Sequence, residues 1–352
     1  MELAQFFNNK KIFLTGHTGF KGSWLAFWLL KMNAKVCGFS YEADQESLFN
    51  ILNLREEIDT SIVGDIRDDQ KLAKAVKDFQ PDIIIHMAAQ ALVRPSYFDP
   101  KFTYETNVIG TLNIFEAARK SGSVKAVLNI TTDKCYENKE SHAPYREDDP
   151  LGGYDPYSSS KACAEILTSS YRRSFFEKEN IALASARAGN VIGGGDFSVD
   201  RIIPDIFRSI REEKKVSIRS PKAIRPWQHV LEPLRGYLML VKNLYENPKD
   251  FSKSYNFGPN SDAEVNVENL TKTFIEKIEK GSYEISDNAD LHEAGILKLD
   301  NNRAKKELNW QPKLSFDETI FWTADWYKNY ISKSDMKEFT SKQIKKFADE
   351  IL

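Results

Sequence analysis

Apolar residues in the first half of the chain fall in short runs separated by helical patterns, as in a parallel sheet with crossover helices. Lys11-Ile-Phe-Leu-Thr predicts a first strand ending at glycines, followed by a helix over Ser23–Met32 with large apolar residues on most faces. Ala34–Phe39 predicts a second strand, and Ile83-Ile-Ile-His-Met a buried one introduced by Pro81-Asp82. Val124–Ile130 predicts a strand that delivers Thr131 to Lys134 at its carboxyl end, and Ala182–Arg187 one that ends near Asn190. After about residue 187 the pattern changes. Gly193-Gly-Gly195 is a flexible break, and the segments beyond it are shorter, more mixed and richer in charge. Ser254–Pro259 reads as a late strand and loop able to rejoin the sheet, with helices expected over Val267–Lys280 and Phe316–Tyr330. The last fifteen residues, with Lys342, Lys345 and Lys346 among acids, read as a solvated helix or a frayed tail.

Gly16, Gly19 and Gly22 lie directly between the first strand and the first long helix, spaced G-x-x-G-x-x-G. Glycines there permit a tight turn, close approach of a pyrophosphate to backbone N–H groups, and close helix–strand packing. The helix N-terminus then favours the anion. The expected fold is therefore α/β, a Rossmann-like doubly wound parallel sheet with a smaller, interleaved C-terminal substrate domain. Residues 1–187 would form the dinucleotide domain, with 226–258 rejoining it, and 188–225 and 259–352 the substrate domain. Ligands in such sheets bind beyond the carboxyl ends of the strands. Glu42 and Asp44 lie where an acid for a ribose diol is expected, although the strand-end residue is Ser40. No arginine stands there for a 2′-phosphate, so NAD is expected rather than NADP.

Tyr157-Ser-Ser-Ser-Lys161 follows Thr131-Thr-Asp-Lys-Cys-Tyr136 by twenty-one residues. Residues four apart share a helix face, so Lys161 can lie beside the Tyr157 hydroxyl and favour its phenolate. The pattern Y-x-x-x-K occurs three times, but Tyr97–Lys101 and Tyr245–Lys249 enclose Pro100 and Pro248, which disfavour a continuous helical turn. Only the copy at 157 runs on into a helical stretch, and a tyrosine so placed can act as a base.

Composition limits the setting without choosing the reaction. At 352 residues about two domains are expected, and a net charge of −2 gives no footprint for nucleic acid or an anionic membrane. No apolar run is long enough to span a bilayer, and Met1-Glu-Leu-Ala-Gln lacks the layout of a signal peptide. Cys37, Cys135 and Cys163 show no paired spacing, so neither disulfides nor a metal site are expected, and a reducing, cytoplasmic compartment is.

With these residues in view, the chain resembles the extended short-chain dehydrogenase/reductases, and within them the nucleotide-sugar 4,6-dehydratases of the CDP-glucose group. The resemblance runs from the glycine turn through Asp65-Ile-Arg-Asp, His86-Met-Ala-Ala-Gln, Thr132-Asp-Lys, Tyr157 to Lys161 and Arg187-Ala-Gly-Asn-Val-Ile-Gly-Gly-Gly-Asp. It continues to Arg225-Pro-Trp-Gln-His-Val, Leu299-Asp300 and Trp310-Gln-Pro312. It implies a lyase that oxidises the sugar at C4, eliminates water across C5 and C6, and returns the hydride to C6 with NAD regenerated. Thr132, Asp133, Lys134, Tyr157 and Lys161 would be catalytic. Asp133 would be the acid for the C6 hydroxyl, which requires a raised pKa. Lys134 stands where the dTDP-glucose relatives carry a glutamate base. It could take the C5 proton if partly neutral, stabilise the enolate if charged, or form a salt bridge to Glu137 or Glu165. The implied cofactor site comprises Gly16, Thr18, Gly19, Phe20, Ser40, Asp65, Ile66, Ala88, Ala89 and Asn107 with Tyr157 and Lys161. The implied nucleotide-sugar site comprises Gln90, Arg94, Asn190, Arg201, Arg225 and His229, although His229 beside Trp227 equally suits a packed core histidine.

Two other readings stay open: a sugar epimerase of the same fold, and a non-catalytic NAD-binding regulator. A binding module needs no proton relay, which argues against the second. Apolar residues at helical spacing over 103–119 (Thr103, Val108, Leu112, Phe115) and 157–175 predict a homodimer built as a four-helix bundle.

Overall fold

A computed structural model describes residues 2–140, 143–260, 263–286 and 296–349. Its centre is a seven-stranded parallel sheet of β1 (Lys11–Thr15), β2 (Lys35–Ser40), β3 (Thr60–Val63), β4 (Ile83–His86), β5 (Ala126–Ile130), β6 (Ala182–Ala188) and the strand Ser254–Phe257. The spatial order is 254–257, β6, β5, β4, β1, β2, β3. The sheet reverses direction of growth beside β1 and β4, the crevice where such folds bind ligands.

Side chains alternate across each strand, so the sheet feeds two cores. Ile12, Leu14, Ile83, Ile85 and Leu128 pack on one face with Trp24, Leu234, Trp310 and Trp326. Phe13, Ile84, Val127 and Leu183 pack on the other with Leu72, Val76, Ile114, Phe115 and Phe176. In β6 the alternation separates chemistry as well. Ala182, Ala184, Ala186 and Ala188 join the first core, whereas Ser185 and Arg187 point the opposite way and are buried.

Outside the sheet lie the helix Ile202–Arg211 and the short strand pairs 216–218 with 283–285 and 224–226 with 264–266. Helices Val267–Ile278 and Phe316–Ile331 pack beside them. The expected helix over 103–119 is not continuous. Pro100–Tyr104 is α-helical, Glu105–Ile109 makes a π turn, and Gly110–Ser121 resumes the α-helix. The tail also departs from a purely solvated helix. Met336–Asp349 buries Met336, Ile344 and Phe347, Trp326 Nε1 donates to Thr340 Oγ1 at 3.0 Å, and Phe347 meets Trp28 edge-on. Among the described residues no helix is long and apolar enough to cross a membrane.

Candidate active site

The glycine turn is shaped by close contacts. Gly16 has φ +74°, and a Cβ on it would lie 2.8 Å from Ala88 N. One on Gly22 would lie 2.0 Å from Gly16 O, so the helix Phe20–Lys31 packs against the turn itself. Gly19 caps that helix without a side-chain hydrogen bond, which leaves N–H groups for an anion. Beyond β2, Thr18 Oγ1 meets Ser40 Oγ at 2.8 Å and donates to Tyr41 O at 3.1 Å. The Asp65 carboxylate accepts from Tyr41 Oη and from Arg67 Nη2 at 2.8 and 2.7 Å, and Ile66 is buried against Gly110. The π turn aims Asn107 at the strand end after β4, a frequent use of such turns. Its Oδ1 accepts from Gln90 N, and its Nδ2 donates to Gln90 O and Ser160 Oγ, all at 2.9 Å. Asn107 thus reaches the Tyr157 helix through Ser160.

Past the ends of β4, β5 and β6 lies a cleft of about 330 Å³. Its walls include Arg94, Thr132, Asp133, Lys134, Tyr157, Asn190, Arg201 and Arg225. Residues separated by more than a hundred positions are therefore brought to one cavity. Asn190 holds φ +44°, a conformation asparagine tolerates better than most residues. Arg201 pairs with Asp196 at 3.1 Å, and Arg225 Nη1 donates to Ile224 O at 2.9 Å. Two expected substrate residues lie elsewhere. Gln90 spends its amide on Leu92 and Thr103. His229 is wholly buried between Trp24 and Trp322, and burial pushes its imidazole down to about 3.

Asp155 caps the helix Pro156–Tyr171 by accepting from Ser158 N, and Tyr157 N donates to Ser96 Oγ at 3.1 Å. Burial pushes the Tyr157 phenol up to about 12; a hydrogen bond with Thr132 and the charge of Arg201 act downward, Asp133 upward. Lys161 is also buried, which brings it down to about 8, and its Nζ donates to Ile130 O at 3.2 Å. Desolvation of the tyrosine thus opposes the phenolate that Lys161 is expected to favour.

Thr132 Oγ1 donates to Asp133 Oδ1 at 3.0 Å and accepts from Lys134 N at 3.3 Å. Asp133 is buried, and burial raises its pKa against the opposing pull of Lys134, Thr132 and Arg225. Among the described residues its Oδ2 has no hydrogen-bond partner. The space for that oxygen exists because residue 189 is glycine: a Cβ there would lie 1.8 Å from Asp133 Oδ2. Gly189→Ala is expected to displace the carboxyl and cut turnover at least about tenfold with little change in melting temperature, since one side chain can yield without moving the backbone. Steady-state kinetics beside thermal unfolding measure this. Glu165 is taken by Arg187 at 2.8 Å, and among the described residues Lys134 forms no ion pair within 4.0 Å.

Lys21, Gly189 and Arg187 are not among the expected site residues, and Glu165 is expected only as an ion-pair partner of Lys134. Lys21 lines the cleft, and burial together with Arg201 and Lys161 brings its ammonium down to about 7. Its signal was a charged residue inside the glycine turn. Gly189 had none, because its neighbour Asp133 is far away in sequence.

The chain matches the GDP-mannose 4,6 dehydratase family model over residues 13–322. It is 46% identical over 346 residues to a CDP-glucose 4,6-dehydratase of Salmonella typhimurium, covering 96% of each chain. Among solved structures it is similar to an epimerase of Methanothermobacter thermautotrophicus, with a TM-score of 0.81, 23% identity and coverage of 94% of this chain and 96% of that one. It is also similar to a dTDP-glucose 4,6-dehydratase of Streptomyces venezuelae solved with NAD bound, with a TM-score of 0.80, 22% identity and coverage of 92% and 98%. From the glycine turn through the Tyr157–Lys161 helix to residue 322, this chain belongs to the GDP-mannose 4,6 dehydratase family.

Proposed function

We propose that the chain is a CDP-glucose 4,6-dehydratase, a hydro-lyase that forms CDP-4-keto-6-deoxyglucose and water and keeps NAD through the cycle. The observation that carries the reading is the buried Asp133 carboxyl, one oxygen without a partner among the described residues, beside Thr132, Lys134 and Tyr157 in one cleft. The 46% identity to a protein named for that activity supports the choice of nucleotide. An epimerase needs the tyrosine and lysine but no second acid.

The residues fit NAD. Gly16 and Gly22 form a turn that larger residues would fill, and Gly19 leaves the helix N-terminus open. Thr18, Phe20, Ser40, Asp65, Ile66, Ala88, Ala89, Asn107, Tyr157 and Lys161 would complete the site. The chemistry the cofactor supplies is reversible two-electron storage, taken from C4 and given back at C6. Tyr157, deprotonated, takes the 4-hydroxyl proton, and Thr132 hydrogen-bonds the oxygen that carries the developing charge. The 4-ketone acidifies C5: a neutral Lys134 accepts that proton and gives it back to C5 as C6 is reduced, whereas a charged Lys134 stabilises the enolate while the proton is exchanged with water. Asp133, whose burial keeps it protonated to higher pH, gives its proton to the C6 hydroxyl, which leaves as water. Arg94, Asn190, Arg201 and Arg225 supply charge and donors for the diphosphate.

Incubation with CDP-, dTDP-, UDP- and GDP-linked glucose tests the reading through the alkali-induced absorbance of a 4-keto-6-deoxy product. A product with CDP-glucose above the others is expected. An epimerised hexose without that absorbance would overturn the assignment.

We further infer a cytoplasmic homodimer. Cys37, Cys135 and Cys163 form no disulfide. Phe98, Ile109 and Ile166 are 81%, 46% and 57% exposed on neighbouring helices, whereas Thr103 and Phe115 are core residues. Three large apolar side chains in water on one region of a surface mark an interface. Ile109→Lys combined with Ile166→Lys is expected to halve the mass measured by light scattering at micromolar concentration. A monomeric parent protein would refute the dimer.

A further inference from the structure

Tyr157, Lys161 and Glu165 stand one turn apart on a buried face of the helix Pro156–Tyr171. The first two belong to the chemistry above, and the third has no part in it. Glu165 is nonetheless fully engaged. Its Oε1 accepts from Thr131 Oγ1 at 2.5 Å, and its Oε2 accepts from Ser185 Oγ and Arg187 Nη2, both at 2.8 Å, and from Ser254 Oγ at 3.3 Å. Those donors come from the end of β5, from β6 and from the strand 254–257, and together they fill the acceptor capacity of a carboxylate. Arg187 Nη1 continues to Tyr136 Oη at 2.8 Å and Glu147 O at 2.9 Å.

A buried ion pair contributes little net stability, because desolvation offsets the attraction. The placement of this one points to another use. Thr131 is the residue before Thr132 and Asp133, and its N–H donates to Ala186 O at 2.9 Å. Lys161 holds Ile130 O, one residue earlier. The segment 130–133, from which both Thr132 and Asp133 project, is thus gripped by two successive turns of the Tyr157 helix.

We propose that Glu165 is a positioning residue for the reaction: it fixes Thr131, so that Thr132 and Asp133 face the sugar, and it sets its carboxylate one helical turn from Lys161. The inference rests on the dehydratase reading of the Tyr157–Lys161 pair. Burial lowers Lys161, and Glu165 is the strongest influence opposing that, followed by Cys135 after β5. The other titratable groups facing it are Lys21 from the glycine-turn helix, His86 from β4 and Tyr157 from its own helix. Burial alone would raise Glu165, but Arg187 and the bonds from Thr131 and Ser185 bring it to about 2, so it is ionised wherever the enzyme works. Removing that charge lowers the pKa of Lys161 further. The ammonium is then lost at a lower pH, and the alkaline limb of kcat moves toward neutrality.

The experiment compares cofactor-loaded parent, Glu165→Gln, Thr131→Val and Thr131→Ser, with kcat and KM for CDP-glucose measured across pH and melting temperature measured alongside. Glu165→Gln is expected to move the alkaline limb down by about one pH unit, the scale of one close charge. Because this change strands the Arg187 guanidinium, Thr131→Val provides a second test with the ion pair intact. It should lose about tenfold in kcat at unchanged KM, the scale of a small misplacement, with a lower melting temperature because one buried carboxylate oxygen loses its donor, and Thr131→Ser should restore both. A folded Glu165→Gln with an unmoved limb, or a Thr131→Val within about twofold of the parent in kcat, overturns the proposal. The failures are distinguishable. An active Tyr157→Phe would remove the dehydratase reading itself, whereas an inactive one beside unaltered Glu165 and Thr131 variants would remove only this inference.

Discussion

Tyr157→Phe is expected to lower kcat by at least about a hundredfold while leaving NAD binding intact, the usual scale of a lost general base. The substitution removes one oxygen and keeps the buried ring. The backbone bond from residue 157 to Ser96 Oγ is unaffected, so the helix start and the cofactor side of the site should persist. Burial holds the phenol up near 12, so the protein without ligands keeps its proton on. Loss of the 4-hydroxyl proton must then coincide with the charge changes of the bound state, with Thr132 and Arg201 already acting in that direction. Turnover of CDP-glucose and fluorescence titration with NAD check the two halves of the expectation. Normal turnover in the phenylalanine variant would remove Tyr157 from the mechanism.

Asp133→Asn and Lys134→Ala should separate elimination from oxidation. The amide of Asp133→Asn cannot give a proton to the C6 hydroxyl, so oxidation at C4 should proceed and the loss of water should stall. Enzyme-bound reduced nicotinamide is then expected to accumulate with CDP-glucose, and overall turnover to fall by roughly two to three orders of magnitude. Lys134→Ala should abolish most exchange of the C5 hydrogen with solvent deuterium. If Lys134 acts as a cation rather than as the base, Lys134→Arg should keep much of that exchange, because arginine retains charge but does not readily deprotonate. Among the described residues no salt bridge holds Lys134, so loss of activity in the alanine variant would not trace to a broken ion pair. Full activity in Lys134→Ala would remove both roles.

Much of the sheet was legible because each buried strand is a compact apolar run closed by a turn or a proline. Six of the seven strands are visible this way, from Lys11–Thr15 to Ser254–Phe257. The seventh, Thr60–Val63, escaped because it is a short edge strand with Thr60 and Val63 exposed, so no apolar run marks it. The break at Glu105–Ile109 escaped for a different reason. Its residues continue a helical pattern, and the partners that Asn107 meets from the π turn, Gln90 and Ser160, come from other parts of the chain. The tail reads as solvated because its apolar residues are sparse, yet Ile344 is buried and Phe347 meets the rings of Trp322 and Trp28.

The sequence by itself determined the features whose physics is local. The close approach of Gly22 to Gly16 follows from sterics within seven residues, the shared face of Tyr157 and Lys161 from the helix repeat, and the strand ends from apolar runs. Only the tertiary structure decided what meets across the chain. It set Gly189 behind Asp133, Arg187 against Glu165, Lys21 in the cleft, and His229 away from it between two tryptophans. The reason is that these contacts depend on strand order and, for Arg187, on the face of β6 that its side chain takes. Both are settled by packing the whole sheet between two cores, and no short window of sequence contains that information.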